Sequence, residues 1–270
     1  MSTYYANYTR ETALDLCEAR PSPTWIESIN SSETKDSSDD WDLSCGYDGA
    51  LRLARFGYEV DRSFSLPSLA TDSGKILRGF NRSEEGESCD IDRLLDGDER
   101  CYRRRKKIDQ PTISLVVDLG SPWYVEAKTV LNRGSAIFCA VEQLEAKGCS
   151  VEIVGRIISR GSGDNAKKIA DIRIQLKRHG EYLDPNILAF WLAHPAAARR
   201  IGFKLKESLP AKWCEALSNN YGIVVAEEPR KEGETYYLPT PQSELGWAPY
   251  ITKGGAEQEI TKLLTTLNEG

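Results

Sequence analysis

The chain has 270 residues, of which 40% are hydrophobic and 28% charged, with a net charge of −6. That balance fits a folded protein with a sizeable core and excludes a disordered chain. No apolar run reaches the ~20 residues needed to cross a bilayer, and the opening MSTYYANYTRETALDL has no basic start followed by an apolar stretch, so neither a membrane span nor a secretory signal is expected. The charge is unevenly laid out. Residues 1–98 carry 10 Lys and Arg against 20 Asp and Glu, residues 99–206 carry 20 against 11, and residues 207–270 carry 5 against 10. An acidic–basic–acidic order points to a polyanion partner for the middle of the chain, or to acidic flanks that fold back and neutralise it. Seven cysteines are scattered with no Cys-x-x-Cys pair, as expected for reduced thiols in a cytoplasmic protein.

In chain order, NSSETKDSSDDWD at 30–42 is polar, acidic and serine-rich and reads as an exposed loop or linker. In GYDGALRLARFGYEV, Ala50, Leu51, Ala54 and Phe56 predict a short amphipathic helix ending near Gly57. RSEEGESCD at 82–90 is a second polar loop. The middle is clearer. ISLVVD at 113–118 is a continuous apolar run suited to a strand buried on both faces. Residues 126–147 repeat apolar positions at helical spacing and stop at Gly148. SVEIVGRII at 150–158 predicts a second strand. RGSGDNA is a turn, and DIRIQLK then alternates, placing Ile172, Ile174 and Leu176 on one face and Arg173, Gln175 and Lys177 on the other, a half-exposed antiparallel strand. Asp184-Pro185 opens a helix. Pro195 opens another helical segment, and 211–219 gives a short one. YGIVVA at 221–226 predicts a last core strand. The Pro- and Gly-rich tail ends in the amphipathic EQEITKLLTTLNEG.

The order strand, helix, strand, strand, helix, helix, strand predicts an α/β fold, an open mixed sheet with helices on both faces. Three regions follow from composition: an acidic, mainly helical and loop-rich part over 1–98, a basic α/β core over 99–226, and an acidic tail over 227–270. The core order is similar to that of von Willebrand factor A-like domains. Such domains hold a metal on Asp-x-Ser-x-Ser at a strand end; here those positions are Asp118, Gly120 and Pro122, both hydroxyls are missing, and Ser121 is out of phase. Asp118 is therefore expected to cap its turn or pair with a base. RGSGDNAKK at 160–168 lacks the Gly-Lys-Ser/Thr ending of a phosphate loop and links two strands, so it reads as a hairpin. His179 and His194 have no partner pattern, and His194 reads as helix surface or core filling. No motif argues for an enzyme, and no cofactor is expected.

The basic residues carry the functional expectation. Tyr102 precedes the run Arg103, Arg104, Arg105, Lys106 and Lys107. Arg173, Lys177 and Arg178 line the alternating strand, Arg160, Lys167 and Lys168 its turn, and Arg133 the long helix. Arg199, Arg200, Lys204 and Lys206 follow on a helical segment. Single-stranded nucleic acid is bound by a positive track along its backbone and by aromatic faces under its bases. Trp123 and Tyr124 are candidates for stacking, although core filling is the ordinary place for a tryptophan and a solvated face for a charge run.

WDLSCGYDGALRLARFGY, DIDRLLDGDERCYRRRKK and NRGSAIFCAVEQLEAKGCSVEIV together, over residues 41–160, resemble a family of phage proteins of unknown function. There a Trp and an Ala-Leu-x-x-Ala-x-x-Gly helix precede a Gly-Asp-x-x-Cys segment, an Arg-rich run, a strand and an Arg-Gly-x-Ala helix. The chain is also similar to the single-stranded DNA-binding RNA polymerase cofactors of phages that carry a virion RNA polymerase. That resemblance implies single-stranded DNA and a phage RNA polymerase as partners, in the cytoplasm of an infected host cell, with self-association on DNA. It assigns no binding residues; those named come from charge and position alone. Two other classes remain: a Mg²⁺-dependent protein-interaction module centred on Asp118, and a phosphate-ester enzyme built on carboxylates at the strand ends.

Overall fold

The computed structural model describes residues 2–19, 32–64, 80–83, 88–89, 91–95, 101–105, 111–217, 225, 229–233 and 235–269. In chain order they form β1 (Ser2–Thr9), α1 (Arg10–Glu18), α2 (Asp39–Asp42), α3 (Gly46–Phe56), β2 (Phe80–Ser83), β3 (Ser88–Cys89), α4 (Ile91–Leu95), β4 (Tyr102–Arg105), β5 (Thr112–Asp118), α5 (Ala127–Ala146), β6 (Ser150–Arg160) and β7 (Lys168–Lys177). Then come α6 (Pro185–Ala193), a π-helical turn (Ala197–Gly202) running into α7 (Phe203–Glu207), α8 (Ala211–Leu217), β8 (Arg230–Glu232), β9 (Thr235–Leu238), α9 (Glu244–Trp247) and α10 (Lys253–Glu269).

The fold is α/β around one six-stranded mixed sheet of order β1-β7-β6-β5-β9-β8; β2, β4 and β3 make a small antiparallel sheet. β5 runs parallel to β6 and β9, while β7 runs antiparallel to β6 and parallel to β1. Alternation gives the large sheet two unlike faces. Ile113, Leu115, Val117, Val151, Ile153, Ile172, Ile174, Tyr236 and Leu238 share one core with Phe138 of α5 and Phe190 of α6. The other face carries Asp118, Arg156, Arg173 and Asn7 side by side across four strands. α5 lies close against α6 because residue 134 is glycine: a Cβ there would sit 2.1 Å from the Leu192 carbonyl oxygen.

The predicted helices at α3, α5, α6 and α8 and the strands at β5, β6 and β7 form, and Asp184 caps α6 by accepting from Asn186 N at 2.8 Å. Two strands lie outside the expected core, and one loop expectation is corrected. β1, inside the region expected to be helical and looped, is an edge strand of the main sheet, and β9, inside the expected tail, lies beside β5. The sheet therefore crosses all three compositional regions, because strand pairing ignores local charge. Residue 225 lies in no strand, and the rest of the expected strand at 221–226 is outside the described residues. The acidic stretch over 32–42 is not a free loop: Ser32 and Asp42 are buried.

Candidate nucleic-acid interface

The carboxyl ends of β5 and β6 point the same way, and Leu119 N donates to Arg156 O at 2.8 Å where β5 leaves the sheet. β6 continues four residues further to Arg160 and turns back through Gly163–Asn165 into β7, closed by Gly161 N on Lys168 O at 3.0 Å. This end exposes Arg160 and Lys167 and half-exposes Lys168. Beside it the loop after β5 buries Leu119 and Val125 and turns Trp123 outward, 70% exposed, with Tyr124 edge-on to it at 6.0 Å. Trp123 is thus not core. The loop is held from below by Arg199, whose guanidinium donates to the carbonyls of Pro122 and Val125. Nothing in the sequence links Arg199 to this loop 74 residues away; the packing of the π-helical turn makes the link.

Next to the hairpin, Asp171 accepts two bonds from Arg156 (3.1 and 2.9 Å) and two from Arg173 (3.3 and 3.1 Å). Burial opposes its charge, but these bonds and the two positive groups outweigh that and hold the carboxyl below its usual range. Arg173 keeps a partly exposed edge.

At the junction of β5 with β9, Asp118 Oδ1 accepts from Gly120 N at 3.0 Å, so the residue caps its turn as expected. Burial pushes its pKa up to about 6, against the opposing bonds from Gly120 and Thr240 and the charges of Arg133 and Arg156. Arg133 is 5% exposed and donates to the carbonyls of Asp118, Leu238 and Pro239 at 3.0 to 3.2 Å, pinning β5 to β9. Among the described residues no group of three His, Cys, Asp or Glu is placed to hold a metal ion.

Several expected contacts are corrected. Arg133 faces the interior and cannot touch a phosphate backbone. Lys177 is also 5% exposed, donating to Val151 O and paired with Glu145 at 2.6 Å. The cause is an irregularity in the β6–β7 ladder that skips one residue and brings Lys177 opposite Ile153, on the helix side. Arg199, Arg200, Lys204 and Lys206 are only 1–2% exposed. Arg200 pairs with Asp42 at 2.6 Å, Lys204 pairs with Glu33, and Arg199 lies over the Trp41 ring at 4.5 Å. Here the acidic flank does fold back on the basic middle. Tyr102, half-buried, and Arg103, Arg104 and Arg105 form β4 in the small sheet; Lys106 and Lys107 lie outside the described residues. Arg178 is exposed at the far end of β7.

Sequence reasoning left one cluster unnoticed. Ser114 Oγ lies 3.0 Å from Glu152 Oε2 and 3.3 Å from His179 Nε2, whose Nδ1 meets Ser150 O at 3.0 Å. A carbonyl acceptor makes Nδ1 the protonated nitrogen. The carboxylate lies on the Nε2 side, 3.6 Å away, instead of behind Nδ1. That order ties three strand ends together and does not match a nucleophile backed by an oriented base. His194 fills the core, stacked on Phe190 at 5.5 Å, with Nδ1 accepting from Ala196 N at 3.2 Å.

The chain belongs to the family described as "Domain of unknown function (DUF7192)", whose model matches residues 4–267. No curated protein and no solved structure matches it.

Proposed function

We propose that the protein binds single-stranded DNA, without catalysing a reaction, and presents it to a phage RNA polymerase in the infected cell. The observation that carries the DNA part is the conjunction at one sheet end of Arg160, Lys167 and Lys168 with the exposed Trp123–Tyr124 pair. Cations there neutralise phosphates while the aromatic faces take bases, a combination suited to a strand whose bases are unpaired. Arg173, partly exposed, extends the positive surface in this reading. The polymerase partner rests on the chain's similarity to the phage RNA polymerase cofactors and on no contact surface. A duplex hides its base faces, so the aromatic pair favours single strands.

The test is fluorescence anisotropy with a labelled single strand and the matching duplex, with EDTA or Mg²⁺ present. Tighter single-strand binding in EDTA is expected, weakened by about 1–3 kcal/mol for each base no longer stacked in the Trp123→Ala/Tyr124→Ala variant. Equal affinity for both forms, or no loss in that variant, contradicts the proposal. Mg²⁺-dependent loss of the intact strand would favour the phosphate-ester class.

A further inference from the structure

The two edges of the main sheet are not alike. β8 ends one side as three residues, Arg230, Lys231 and Glu232, short and charged, the ordinary way an edge is kept from pairing. β1 ends the other side as eight residues, Ser2–Thr9, with no charge and no proline. Ser2 N donates to Lys167 O, so the backbone groups of Ser2, Tyr4, Ala6 and Tyr8 turn toward β7. In a strand the alternate residues turn the other way. The N–H and C=O groups of Thr3, Tyr5 and Asn7 therefore face outward, and no strand pairs with them among the described residues. Tyr5 is 63% exposed there.

We infer that β1 is a self-association edge and that its occupant is β1 of a second copy, joined antiparallel about a two-fold axis at Tyr5. In that register Thr3 faces the partner copy's Asn7, Tyr5 faces Tyr5, and Asn7 faces Thr3. All three pairs are of the hydrogen-bonded kind, so every outward N–H finds an outward C=O. Any register that offsets the pairing by one residue sets outward groups against groups already committed to β7. The Tyr5 rings meet as a cross-strand aromatic pair, and no like charges oppose. The two-fold makes the contact isologous and closed, giving a dimer and not a fibre. The two polar sheet faces join into one. This inference is independent of the DNA-binding proposal and is tested without nucleic acid.

Sedimentation velocity over a concentration series is the experiment. The wild-type chain is expected to shift from monomer to dimer as concentration rises. Tyr5→Lys and Tyr5→Glu, each placing like charges opposite one another, are expected to remain monomeric, and an equimolar mixture of the two to dimerise again. Tyr5→Pro, which removes the ring and an N–H that faces outward and makes no bond to β7, is expected to stay folded by circular dichroism and monomeric. A wild-type chain that stays monomeric throughout overturns the inference. So does a dimer that survives Tyr5→Lys, or a charge mixture that fails to associate while both chains are folded.

Discussion

Two buried titratable side chains give the protein opposing responses to acid. Burial lowers the His194 pKa to about 4, against a weaker upward pull from Asp42. The neutral ring also suits Nδ1, which must be an acceptor for Ala196 N. A histidine held neutral stabilises the fold above its unfolded pKa near 6.5, and that stability is lost as pH falls toward 4. The loss is about 3 kcal/mol, at 1.36 kcal/mol per unit. Asp118 works the other way. Its folded pKa of about 6 exceeds the unfolded value, so its contribution is complete below about pH 4 and is lost as pH rises through 6, again by about 3 kcal/mol. Urea unfolding at pH 7 and pH 4.5 separates them. His194→Asn, which keeps an acceptor near Nδ1, is expected to lose less stability on acidification than wild type, and Asp118→Asn to lose more. Identical pH dependence in all three would refute both assignments. The sequence suggests Asp118 as a turn cap, because a carboxylate at a strand end before Gly has that role available. It gives no sign that the residue is fully enclosed, since Arg133 and Thr240, which enclose it, are distant in sequence.

At the scale of elements, the π-helical turn and α7 against the segment over 32–42 decide how the basic middle is used. Four cations in eight residues read as a solvated face, yet all four are buried. Spacing reports which side of a helix a residue occupies, not what lies against that side. What lies there is an acidic segment over 150 residues earlier, with Asp42 on Arg200, Glu33 on Lys204, and Glu207 accepting from Ser32 N and Oγ at 2.7 and 2.6 Å. Removing one partner of a buried pair strands the other charge, at about 3–5 kcal/mol. Asp42→Ala and Arg200→Met are each expected to destabilise by that amount in chemical unfolding, and the double variant by much less than their sum. Additive losses would show that the pair is not coupled. Because Arg199 and Arg200 sit side by side, Asp42→Ala also loosens the support of the Trp123 loop.

At the scale of the molecule, the core strands and the long helix are legible because β5, β6, β7 and α5 are contiguous and strongly patterned. The sheet edges are not. β1 is uncharged and rich in tyrosine, with only Ala6 buried in it, so its alternation is weak until β7 is present to pair with. β9 is four residues long and lies in a stretch whose Pro and Gly suggest a tail. Compositional boundaries at 98 and 226 therefore mark changes of charge and not of fold. The same limit applies to the interface. Arg160, Lys167 and Lys168 are legible as a hairpin turn, but the loop that carries Trp123 at the same end of the sheet is held by a buried arginine that the sequence puts elsewhere.

The most direct measurement is the salt dependence of single-strand affinity for the wild-type chain and for Arg160→Ala/Lys167→Ala/Lys168→Ala, by anisotropy in EDTA. Each neutralised phosphate on a single strand contributes about −0.7 to the slope of log K against log salt, so the triple variant is expected to bind more weakly and with a slope flatter by about two units. An unchanged affinity and slope would remove this sheet end from the binding surface and contradict the proposed function.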